Sequence, residues 1–209
     1  MSLNFREIEQ QLCIVLDTQL PKLLCPDATA EANAVICYGY VDKVSGLTFE
    51  VLCIASYIEG DYTIVNENKS VNAKVRAEKF QDSKIITIKN AAIMKRFQSR
   101  IQLIKDVYYS GAQVELIRNF TSLDKFRHPF YPDDIQAILL AEGIKPESIW
   151  VRLKEYILDI NKGTMYYEGE LLNSPFDNRY DLVIGDSVYL VVSEVENGEV
   201  CFVIPKPNH

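Results

Sequence analysis

One histidine lies close to a pair of carboxylates in this chain: His128, followed by Asp133 and Asp134. An imidazole that titrates near neutral pH beside a carboxylate is the minimum for general acid–base work. Such a set could serve a small hydrolase if a serine or cysteine nucleophile joined it from elsewhere. A plainer reading competes and is the one we favour. Pro132-Asp133-Asp134 has the pattern of a helix start, with proline in the first turn and carboxylates facing the positive end of the dipole. His128 is then a loop residue before Pro129. No phosphate-binding loop, dinucleotide fingerprint, nucleophile elbow or His-Glu-x-x-His is present, so no cofactor is expected.

Other residue groups invite a chemical reading and answer it weakly. Asp177, Asp181 and Asp186 lack the alternating spacing of a calcium loop and read as turn carboxylates. Cys13, Cys25, Cys37, Cys53 and Cys201 are odd in number and set among aliphatic residues, with no Cys-x-x-Cys pair. They read as buried free thiols and not as a disulfide framework. His128 and His209 are the only imidazoles, too few to build a convincing zinc site with them, so no metal is expected. Trp150, the single tryptophan, sits in an alternating run and is either core or the lining of a ligand groove.

Charge supplies the strongest signal. The net charge is −7, yet residues 1–110 carry 13 basic and 13 acidic side chains, while residues 111–209 carry 9 and 16. Between Lys74 and Lys105, nine basic residues face only Glu78 and Asp82. Lys95, Arg96 and Arg100 are the binding candidates in that segment. With Phe80 and Phe97 nearby it could contact nucleic acid, but a pI near 5.0 and an acidic second half rank that reading below a protein partner or a second copy of this chain as a homodimer. Compensation between the basic segment and the acidic half is the favoured explanation of the asymmetry. No apolar run reaches the ~18–20 residues of a membrane span, and Met1–Gln10 lacks the pattern of a signal peptide. A soluble, cytoplasmic protein without membrane association is expected.

The elements that must position these residues follow from periodicity and turn chemistry. Asn4 with Glu7 resembles a capping box, and Phe5, Ile8, Leu12, Val15 and Leu16 recur on a helical face, so a first helix is expected there. Ala34–Val41, Leu47–Ile58, Tyr62–Val65 and Lys84–Lys89 read as strands. Asn90 opens a helix whose stripe is Met94, Phe97, Ile101, Ile104 and Tyr108, with Gly111 at its end. Gln113–Arg118 reads as a short strand, 119–130 as a connecting loop, and 132–143 as a helix. From Ile149 onward the pattern is β, closed by strands at 187–195 and 199–204 around an Asn197-Gly198 turn. The expected fold is α+β: an N-terminal helix-and-sheet domain over 1–118 and a small β-rich, barrel-like module over 119–209.

Four groups of residues in the C-terminal third carry a resemblance. They are His128-Pro129-x-x-Pro132-Asp133-Asp134-Ile135-Gln136, Trp150-Val151-Arg152-Leu153, Gly169-Glu170-Leu171-Leu172-Asn173-x-Pro175 and Gly185-Asp186-x-Val188. In that order they resemble bacterial families with no assigned activity, whose β-rich module carries Trp-Val, Gly-x-Leu-x-Asn-x-Pro and Gly-Asp-x-Val. The resemblance covers roughly 80 residues by inspection of those patterns. It implies a bacterial source and a regulatory or immunity-like role, and it assigns no catalytic residue. The expectation from sequence is therefore a binding or interaction protein, with a His128 hydrolase as the first alternative and nucleic-acid binding as the second.

Overall fold

The computed structural model describes residues 4–66, 73–80 and 83–207. Two of the residues discussed above, Asp82 and His209, lie outside them. The chain forms two compact units: residues 1–109 with 129–131, and residues 110–128 with 132–209. Strand outweighs helix, 46% to 22%, so the mixed class holds but is strand-dominated.

In the first unit, β1 (Leu12–Leu16), β2 (Ala34–Asp42), β3 (Gly46–Ile58), β4 (Asp61–Asn66), β5 (Lys74–Arg76) and β6 (Lys84–Ile88) form one sheet. Its order is β4-β3-β2-β1-β6, and β5 pairs with β3. The segment expected as a first helix contains only a 3₁₀ turn, Phe5–Glu7, and then the strand β1. Leu12-Cys13-Ile14-Val15-Leu16 is an unbroken apolar run, and such a run suits a strand covered on both faces as well as it suits a helix. Here β1 is central, flanked by β2 and β6.

Both faces of this sheet are buried. Cys13, Val15, Val35, Cys37, Phe49 and Val51 face one cluster with Phe5 and Phe80. Leu12, Ile14, Ile36, Tyr38, Tyr40 and Leu52 face the other, where they meet residues 93–108. That region holds α2 (Ala91–Arg96) and α3 (Gln98–Val107), the latter following Phe97; α1 (Leu20–Leu24) comes earlier in the chain. Asn90 caps α2 by accepting the Ile93 N–H at 3.0 Å, and the stripe Met94, Phe97, Ile101, Ile104 and Tyr108 packs on the sheet as the periodicity predicts. Gly39, readable from sequence as a turn glycine, lies within β2. A Cβ there would stand 2.4 Å from the Ile8 carbonyl oxygen, so the close crossing of the two backbones requires glycine.

In the second unit, α4 (Ala112–Ile117) replaces the short strand expected at 113–118. Gly111, with φ of 99°, precedes this helix and does not cap α3, whose last turn closes at Tyr108. A 3₁₀ helix, Thr121–Phe126, occupies the expected loop, followed by β7 (Arg127–His128). β8 (Tyr131–Leu139) runs where a helix was expected at 132–143. Ile135, Ala137 and Leu139 alternate into the core, and period two prevails over the helix-start pattern of Pro132-Asp133-Asp134.

β9 (Glu147–Asp159), β10 (Thr164–Leu171), β11 (Ser187–Val195) and β12 (Gly198–Ile204) continue from β8 as antiparallel neighbours. A parallel pairing of Phe202 with Ile138 closes β8–β12 into a five-stranded barrel. The C-terminal hairpin is present, but its turn is displaced by one residue. Val195 pairs with Gly198, leaving Glu196-Asn197 as the loop, and the positive φ of 115° falls on Gly198 and not on Asn197.

Trp150, Asn173 and Asp186 hold parts of this barrel together. Asn173 Oδ1 accepts the Trp150 N–H at 2.7 Å, and the Leu172 N–H donates to the Trp150 carbonyl at 2.9 Å. Asp186 Oδ2 accepts the Val183 N–H at 2.8 Å and so closes the turn before β11.

Candidate functional site

In the first unit, three adjacent strands bring a polar row to the sheet face that α3 covers. Tyr38 on β2 pairs in register with Glu50 on β3, and Glu50 pairs with Lys74 on β5. Register partners share a face, so these three side chains project together. Glu50 is the single charged residue in the apolar stretch from Leu47 to Ile58 and is 5% exposed. A lone carboxylate in such a run is a signal the sequence reading passed over.

Arg100, one of the candidates named from charge, supplies the counter-ion. Its Nη2 donates to Glu50 Oε1 at 2.7 Å, while Oε2 is buried with no hydrogen-bond partner. The Tyr38 hydroxyl is likewise buried without a partner. Burial, and secondarily the charge of Glu9, pushes the Tyr38 phenol up to about 12. A buried acceptor that lacks a donor costs about 1–3 kcal/mol, so two such atoms on neighbouring strands need an explanation.

Lys74 Nζ donates to the Tyr108 hydroxyl at 2.6 Å. That bond, aided by the charges nearby, holds the lysine above its usual range. Tyr108 packs its ring on Tyr40, with centroids 4.4 Å apart, and burial followed by the adjoining Tyr108 drives the Tyr40 phenol upward. Above these groups lies a groove of about 370 Å³, within the usual range for a small-ligand site. Glu50, Lys74, Arg100 and Tyr108 form its polar side, and Leu103 and Val107 form an apolar wall. Leu103 is 62% exposed and Val107 61%, so two large aliphatic side chains face water beside a buried carboxylate.

The other sequence-derived candidates fall elsewhere. Lys95 and Arg96 are exposed at the end of α2. His128 and Trp150 meet edge to face, centroids 5.2 Å apart. Asp133 accepts two bonds of 2.7 Å from Arg118, and Asp134 accepts bonds of 2.7 and 2.9 Å from Arg152, its register partner. Asp177 caps a 3₁₀ turn and pairs with Arg179, whose hydrogen bonds hold its carboxyl down at about 2. All five cysteines are buried and outside any disulfide, and burial pushes the Cys13 and Cys201 thiols up to about 12. Among the described residues no group of three or more His, Cys, Asp or Glu side chains could hold a metal ion, and no helix is long and apolar enough to cross a membrane.

No protein-family model, curated protein or solved structure matches the chain.

Proposed function

We propose that this is a binding protein whose ligand occupies the groove between the Glu50–Lys74 row and the Leu103–Val107 wall. The observation that carries the reading is Glu50, a carboxylate that lines the groove and whose buried Oε2 has no hydrogen-bond partner. A polar atom left open in this way is compensated when a ligand supplies the missing hydrogen bond. A regulatory or immunity-like role for a bacterial protein remains the biological setting implied by the C-terminal pattern.

The hydrolase reading has less support, because Asp133 and Asp134 each already hold an arginine. Nucleic-acid binding through residues 74–105 has less support too. Arg100 is committed to Glu50, and an acidic chain repels a polyanion at long range.

A thermal-shift screen of small polar and amphipathic compounds tests the proposal, run on the wild type and on Leu103→Trp, which fills the groove from an exposed position. Compounds that stabilise the wild type should lose their effect in the variant. Equal stabilisation of both proteins by every active compound would place binding outside the groove. Ester hydrolysis abolished by His128→Ala would raise the hydrolase reading above the binding one.

A further inference from the structure

Resting on that groove as the binding site, we infer that its ligand is a free amino acid with an aliphatic side chain. Three features of one small volume define the complementary molecule. The Glu50 carboxylate lines the groove with one oxygen lacking a donor, and because it stands in an apolar strand, a protonated amine is the group that matches it best. A purely anionic ligand, such as a simple carboxylate, brings no donor and faces the Glu50 charge directly.

A cation alone is also a poor match. Arg100 and Lys74 are the two basic residues of the groove lining and Glu50 is its one acidic residue, with Asp42 within electrostatic reach of Lys74. Lys74 Nζ has three protons and gives one to Tyr108, so it can donate to an incoming acid group. A ligand bearing both charges a few atoms apart gives each its partner: ammonium on Glu50, carboxylate on Lys74 within the field of Arg100.

The third feature is the wall. Leu103 and Val107 stand one helical turn apart on α3, both largely exposed. An aliphatic side chain laid across them removes apolar surface from water on both partners. A groove of about 370 Å³ accommodates a compact ligand and leaves little room for a folded partner.

Isothermal titration with three probes separates the parts of this inference. L-Leucine carries the ammonium, the carboxylate and the aliphatic group; L-leucinamide lacks the carboxylate; 4-methylpentanoate lacks the ammonium. L-Leucine should bind, and each partial probe should bind about tenfold or more weakly, the usual loss for one charge-assisted hydrogen bond. Glu50→Gln should weaken L-leucine and L-leucinamide alike. Lys74→Met, on an exposed position, should weaken L-leucine and, with one repelling charge removed, leave L-leucinamide no weaker than in the wild type. Equal affinity for L-leucine and 4-methylpentanoate, or no binding of L-leucine by the folded wild type, overturns the amino-acid assignment. The wider groove reading is decided separately by the Leu103→Trp comparison, which does not depend on this ligand.

Discussion

Arg118 grips Asp133 with two parallel hydrogen bonds, Nε to Oδ1 and Nη2 to Oδ2, both 2.7 Å long. The guanidinium is almost wholly buried and also reaches Glu115 and the Ser110 hydroxyl. Both carboxylate oxygens of Asp133 are satisfied, which is the contrast with Glu50. Removing one partner would leave a buried charge exposed to the apolar interior. Arg118→Ala should therefore destabilise the protein by about 3–5 kcal/mol. Urea denaturation measures this; a loss below about 1 kcal/mol would class the pair with surface ion pairs.

Tyr38 supplies the opposite case. Its hydroxyl is buried with no hydrogen-bond partner, so deleting the oxygen removes an uncompensated polar atom. Tyr38→Phe should leave stability unchanged or raise it by up to about 1 kcal/mol. A clear fall in the denaturation midpoint would show that the hydroxyl is satisfied in solution.

The buried thiols predict both reactivity and a pH response. In the native protein at pH 8, none of the five cysteines should react quickly with iodoacetamide, and all five should react after unfolding. For Cys13 and Cys201 the folded value is raised from 9.0 to about 12. Above pH 9 the unfolded chain loses these protons while the folded chain keeps them. Stability is thus fully present below pH 9 and falls as pH rises toward 12. A flat denaturation midpoint from pH 8 to 11 would contradict this.

Two glycines should respond differently to substitution. Gly169 sits at a register shift between β9 and β10, where a Cβ would stand 2.6 Å from the Arg152 carbonyl oxygen and 2.5 Å from Val151 Cγ1. Gly169→Ala should cost toward the upper end of about 1–3 kcal/mol through overpacking. Gly198 has open space around it but a φ of 115°, so Gly198→Val should cost about 1 kcal/mol or more through backbone strain alone. Equal stability of Gly198→Val and wild type would misplace the hairpin turn.

The sequence announced the strands and the amphipathic 90–110 region because their periodicity was unambiguous and their caps local. It misled at β1 and β8 for related reasons. Leu12–Leu16 is apolar at every position, so periodicity could not choose between states, and the capping pattern ahead of it favoured a helix. At Pro132-Asp133-Asp134 a helix-start signal was imitated by two aspartates whose partners, Arg118 and Arg152, lie 15 and 18 residues away. The groove was legible only in part. Arg100 stood out by charge, whereas Tyr38, Glu50 and Lys74 become neighbours through strand register, which no local pattern records.

The most direct test of the account is a ¹H–¹⁵N NMR titration of the full chain with L-leucine. Shifts should concentrate at the amides of Glu50, Lys74 and residues 99–108 and be lost in Glu50→Gln. Shifts centred instead on His128 and Trp150, or no shifts at saturating L-leucine, would contradict it.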